Sequence, residues 1–192
     1  MFTSDEDYSE MTFEALDQKG LRIEGSVFEG CTFKGCTFSG GIFRRCRFLD
    51  CTFENSDLSN GDFTGASLRE VTFRSCKMLG VNWSSASALD HLHFEGSMLS
   101  YGVFASLDLK RWSFKDSLAR DVDFSEADLS GADLRGADLA GARFSGSNLT
   151  GADLRGAKSY TIRASDTKLK NAKFSLPEAT LLLYGLGIEL EE

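Results

Sequence analysis

With 192 residues, 42% of them hydrophobic, the chain has enough apolar matter for one domain or two small ones. Its net charge of −8 disfavours binding to DNA phosphates and suits either solubility or a basic partner. No apolar run reaches the ~18 residues of a membrane-spanning helix, and one Pro beside 19 Gly argues against a loop-rich or disordered chain.

Residues 1–17 hold six acids and no base, and residues 1–20 repeat poorly, so this segment is expected to be an acidic tail or cap. It lacks the positive and apolar regions of a secretory signal, and a cytoplasmic location is expected. From Ile23 every fifth residue is large and apolar: Ile23, Phe28, Phe33, Phe38, Phe43, Phe48, Phe53, Leu58, Phe63, Leu68, Phe73, Met78 and Trp83. Two residues before each stands a mostly small one, as at Cys31, Cys36, Ser56, Gly61 and Ala66. A period of five with two inward positions matches neither the helix nor the simple strand. The other three positions are mostly polar, so the chain must turn within each unit. Gly after the large residue, as in Leu129-Ser130-Gly131, supplies permissive backbone.

Trp83 to Leu89 is six residues rather than five. This register slip at 84–89 reads as a bulge that either shapes a binding face or is a tolerated insertion. The series then runs from Leu89 to Leu154, fails at Ser159 and Ala164, and returns at Leu169 and Phe174. The repeat domain is placed at 21–174. In the last segment, 175–192, Ser175 and Glu178 have capping-box spacing, with Pro177 in the first turn. A short helix over Ala179–Tyr184 is expected, with Gly185 as its stop. Leu186, Ile188 and Leu190 alternate with polar or small residues, as a short strand would. This segment is expected to cap the last coil, to join two chains C-terminus to C-terminus through Leu181, Leu182, Leu183, Tyr184, Leu186, Ile188 and Leu190, or to do both.

The five cysteines, Cys31, Cys36, Cys46, Cys51 and Cys76, all fall on the small inward position and read as small hydrophobes, not metal ligands. His91 and His93 have no third ligand and no nucleophile beside them. With no cofactor motif either, the chain is expected to be no enzyme and to hold no metal or cofactor.

The stretch Ala127-Asp128-Leu129-Ser130-Gly131-Ala132-Asp133-Leu134-Arg135-Gly136-Ala137-Asp138-Leu139 resembles the A-[D/N]-L-x-x signature of the pentapeptide-repeat family, and the likeness extends over 21–175. It implies an all-β fold: a right-handed quadrilateral β-helix with four units per coil and a short C-terminal helix. About seven or eight coils would make a rod roughly 35–40 Å long. Cys76-Lys77-Met78-Leu79-Gly80-Val81-Asn82-Trp83 and Phe174-Ser175-Leu176-Pro177-Glu178-Ala179 resemble stretches of the albicidin-resistance, Qnr and MfpA group. That likeness implies a homodimeric DNA mimic that binds DNA gyrase, and in some cases topoisomerase IV, and shields it from poisons. Without the long loops of the Qnr group, albicidin- or cystobactamid-type toxins are expected before quinolones. The implied partner-binding surface is Asp108, Asp123, Asp128, Asp133, Asp138 and Asp153, with no direct nucleic-acid binding. At about twenty residues per coil, Asp108, Asp128 and Asn148 stack on one face, and Asp133 and Asp153 on another. The same Asp residues are equally read as turn formers, and the rod as a scaffold for another protein partner.

Overall fold

The computed structural model describes residues 2–188. Each five-residue unit is extended for three residues, which turns its large side chain inward and the two flanking ones outward. It then turns at a residue with positive φ, such as Gly30 (61°) or Glu70 (53°). Four such turns close one coil of about twenty residues, and each coil lies in parallel register on the one before it.

Among the described residues there are twelve three-residue strands: β1 (Asp7–Ser9), β2 (Thr12–Glu14), β3 (Arg22–Glu24), β4 (Val27–Glu29), β5 (Thr32–Lys34), β6 (Ile42–Arg44), β7 (Arg47–Leu49), β8 (Thr52–Glu54), β9 (Ser67–Arg69), β10 (Thr72–Arg74), β11 (Ala88–Asp90) and β12 (His93–Glu95). One sheet runs β1-β4-β7-β9-β11, a second β2-β5-β8-β10-β12, and β3 pairs with β6. The second sheet continues as single bridges from His93 to Ser113, Asp133, Asp153 and Lys173. The column from Thr12 to Lys173 thus has nine stations, and eight steps of strand spacing give a rod about 38 Å long. The chain is a parallel β-solenoid.

The core follows from the repeat. From Ile23 to Trp83 every fifth residue is buried, and the small positions Cys31, Cys36, Cys46, Cys51 and Cys76 lie beside them. Rings one coil apart stack: Phe28 on Phe48 at 4.9 Å, Phe33 on Phe53 at 4.4 Å and Phe73 on Phe94 at 5.2 Å between centroids. Such pairs contribute about 0.5–1.5 kcal/mol beyond the area they bury. The hydroxyls at the small position are satisfied by backbone. Ser117 Oγ donates to Phe94 O at 3.2 Å and accepts the Ser97 N–H at 3.1 Å. Past residue 100 the inward pair becomes mostly Leu and Ala. Strands give way to bridges joined by tight turns, in which Ala132 N–H reaches Leu129 O at 3.0 Å.

Residues 1–20, set apart by sequence as a tail or cap, join the stack over their described part. β1 pairs with β4 and β2 with β5. Phe2 is buried against Tyr8, Phe13, Phe28, Phe33 and Phe38 at the end of the tube. At the slip, the pairing offset grows from 20 residues between Arg47 and Ser67 to 21 between Ser67 and Ala88. The extra residue is absorbed by a 3₁₀ turn at Trp83–Ser85, where Asn82 Oδ1 accepts the Ser84 N–H at 3.1 Å. Trp83 stacks on Phe63 (5.2 Å) and Phe104 (6.0 Å), so the core passes the slip unbroken. Where Ser159 and Ala164 interrupt the series, Tyr160 and Ile162 are buried in their place.

The C-terminal segment corrects three local expectations. Ser175 does not form a capping box: its Oγ accepts the Gly156 N–H at 2.9 Å. A 3₁₀ turn at Glu178–Thr180 leads into the helix α1 (Leu181–Tyr184). Gly185 is still right-handed (φ −62°) and is not the stop; a Cβ there would meet Ile162 O at 2.7 Å. The stop is Gly187, with φ +74°, where Ile188 N–H reaches Leu183 O at 3.1 Å and Gly187 N–H reaches Tyr184 O at 3.0 Å. That pair of bonds is a Schellman motif centred two residues later than expected. Leu190, expected in a strand and at a dimer contact, lies outside the described residues.

Candidate partner-binding surface

The thiols are chemically quiet. Each is buried, and Cys36, Cys51 and Cys76 donate Sγ–H to carbonyls one coil back, at 3.4, 3.3 and 3.3 Å. Burial raises the Cys46 and Cys76 thiols to about 11 and Cys51 to about 12. His91 Nδ1 lies 2.6 Å from Asp90 Oδ1 on the surface, and His93 stands in the ladder between Thr72 and Ser113. Among the described residues no group of three or more His, Cys, Asp or Glu side chains could hold a metal ion.

The six aspartates all occupy the outward position before a large residue, but they do not share a face. Asp108 and Asp128 are bridged on one side, continuing to Asn148; Asp133 and Asp153 are bridged on another. Asp123 stands between Val103 and Arg143, and Asp138 between Leu118 and Lys158, on the remaining two sides. Each carboxylate caps its own turn. The Oδ1 of Asp108, Asp123, Asp128, Asp133, Asp138 and Asp153 accepts the N–H two residues on, at 3.0–3.2 Å.

Most also hold a cation that the sequence reading passed over. Arg143 reaches Asp123 Oδ2 at 2.6 Å, Arg120 reaches Asp138 at 2.8 Å, Arg135 reaches Asp133 at 2.6 Å and Arg155 reaches Asp153 at 2.6 Å. Lys110 bridges Asp108 and Asp128 at 2.9 and 3.5 Å. The guanidinium of Arg143 holds Asp123 down at about 2, and those of Arg135, Arg120 and Arg155 lower Asp133, Asp138 and Asp153. Asp138, Asp153 and Asp123 keep only 15–18% side-chain exposure, against 66% for Asp108. A sequence signal existed: in Asp133-Leu134-Arg135 and Asp153-Leu154-Arg155 the acid and base flank one inward residue and so point to the same side.

Bare carboxylates gather elsewhere. Asp5, Glu6, Asp7, Glu10 and Glu14 are exposed on the first coil, and none is in an ion pair among the described residues. At the opposite end, Leu181 and Leu182 pack on the core, while Leu176, Tyr184, Leu186 and Ile188 are exposed and Leu183 is half-buried.

Two family models match this chain: "Pentapeptide repeat region" over residues 26–104 and "Pentapeptide repeats (8 copies)" over residues 120–158. Among solved structures, a trypsin-treated form of QnrB1, a plasmid-mediated fluoroquinolone resistance protein, is 24% identical with a TM-score of 0.74, over 99% of both chains. Full-length QnrB1 is 22% identical, with a TM-score of 0.52 over 95% of this chain and all of that one. HetL, a pentapeptide repeat protein involved in heterocyst differentiation regulation in the cyanobacterium Nostoc, is 18% identical, with a TM-score of 0.64 over 88% of this chain and 87% of that one. No curated protein matches. At these identities the likeness to solved structures speaks for the fold.

Proposed function

We propose, from the premise that this chain belongs to the pentapeptide-repeat family, that it is a non-catalytic DNA mimic acting in the cytoplasm. It binds DNA gyrase, with topoisomerase IV as a second target, and shields the enzyme from poisons of the albicidin or cystobactamid type. The observation that carries this reading is end-to-end overlap in fold with a fluoroquinolone resistance protein, in a chain with a net charge of −8. A rod studded with carboxylates at strand spacing offers a DNA-binding protein a surface of the right sign. In this reading Asp108, Asp123, Asp128, Asp133, Asp138 and Asp153 line the rod. The unpaired acids of the first coil add the charge that the arginines do not cancel. Two rods join through Leu181, Leu182, Leu183, Tyr184, Leu186, Ile188 and Leu190.

A second reading has its own support. Arginine-clamped, turn-capping aspartates are what the fold itself needs, and HetL, a protein involved in heterocyst differentiation regulation, shares the fold. The chain would then be a scaffold for a different protein partner. A gyrase supercoiling assay, titrated with the purified protein with and without albicidin, separates the two. Inhibition or rescue that fades with added salt supports the first; no effect at low salt, with a pull-down lacking topoisomerase subunits, supports the second.

A further inference from the structure

The charge of this molecule is sorted along its axis. Residues 155–173 carry six cations against one acid, a local charge of +5 in a chain whose net charge is −8. Residues 174–192 then carry four acids, Glu178, Glu189, Glu191 and Glu192, and no cation. In the last coil Lys158, Arg163, Lys168, Lys170 and Lys173 are all exposed, and none is in an ion pair among the described residues. Lys158 and Lys173 are laddered to Asp138 and Asp153, but those carboxylates are already held by Arg120 and Arg155.

We propose that this basic coil receives the acidic tail of a second copy of the chain, so that the C-terminal dimer is clasped by ion pairs in trans around its apolar centre. The inference rests on the dimer reading above and adds the feature that selects and holds the partner. Two arguments favour a second copy over the molecule's own tail. First, the segment that ends at Gly187 leaves Leu186 and Ile188 at 56% and 45% exposure. The apolar residues leading into Glu189 therefore find no cover on their own coil. Second, two coils of +5 brought end to end without the tails would repel across a partly desolvated gap. Each tail supplies three negative charges beyond Ile188, Glu189, Glu191 and Glu192, to set against five cations that have no ion pair among the described residues.

A charge swap tests this. One variant carries Lys168→Glu, Lys170→Glu and Lys173→Glu; the other carries Glu189→Lys, Glu191→Lys and Glu192→Lys. Lys168, Lys170 and Lys173 are exposed positions of the last coil, and circular dichroism checks that each variant keeps its β signature. In sedimentation equilibrium each variant alone should dimerise about 30-fold more weakly than the wild type, and an equimolar mixture should regain near wild-type association as a heterodimer. A wild-type dimer that neither variant weakens overturns the clasp but leaves the dimer. Recovery only when all six changes share one chain places the pairs in cis and overturns the proposal. A wild-type protein that stays monomeric defeats the dimer reading, and the clasp with it.

Discussion

At the scale of single residues, the outward aspartate does two jobs that compete with a third. Its Oδ1 closes a turn by accepting an N–H two residues on, and its Oδ2 takes a guanidinium, as at Asp123, Asp133 and Asp153. What remains for a partner is reduced accordingly. The pairing has a pH signature. Asp123 is lowered to about 2, and Asp133, Asp138 and Asp153 are lowered too, chiefly by their arginines. Folded values below the unfolded one, near 4, contribute stability that is complete above pH ~4 and is lost as pH falls toward 2. The urea midpoint should therefore drop over that window, and Asp123→Asn should flatten the drop. A slope unchanged by that substitution would mean the pair carries no stability. The buried thiols, with Cys46, Cys51 and Cys76 pushed to about 11–12, should resist a thiol reagent at pH 8 in the native protein. All five should react in denaturant; native-state labelling of Cys51 would contradict its place in the core.

At the scale of the element, the unit is not a strand but a coil-to-coil stack. A three-residue strand is too short to stand alone, and its stability comes from the rings above and below it. Phe73 lies between Phe53 and Phe94 at 5.1 and 5.2 Å. Phe73→Ala should cost roughly 3–5 kcal/mol in chemical denaturation, a loss that splits the stack near its middle. A cost under about 1 kcal/mol would show that neighbouring coils collapse into the gap. The slip obeys the same logic: one extra residue bulges at a corner because Trp83 must keep its seat between Phe63 and Phe104. At the C-terminus the close approach of Gly185 to Ile162 O, and the left-handed Gly187, fix how α1 leaves the last coil.

At the scale of the whole molecule, the two ends differ in charge as well as in what covers them, Phe2 at one and α1 at the other. Acids with no ion pair among the described residues crowd the first coil, and bases in the same position crowd the last. If a basic partner reads the rod, it should read the first coil most strongly. Neutralising Asp5, Glu6, Asp7 and Glu10 to their amides should weaken gyrase binding at low salt more than neutralising Asp123, Asp133 and Asp153. The second group's charges are already screened by bound arginines. Equal losses from both sets, measured by surface-immobilised gyrase, would show that the arginines let go on binding.

The solenoid was legible in the sequence because its cause is local. An apolar side chain every fifth residue, with a small one two before it, leaves no other way to bury both, and all thirteen large positions from Ile23 to Trp83 are inside. The slip was legible for the same reason, as a six where fives were due. The charge pattern of the surface was not. Whether Asp123 stands bare or clamped depends on Arg143, a coil away in space and twenty residues away in the chain. The joining of residues 2–20 to the stack likewise depends on strands that follow them. Periodicity specifies what is inside, since burial repeats with the chain; what the outside presents is settled only when coils stack and long polar side chains find partners across them.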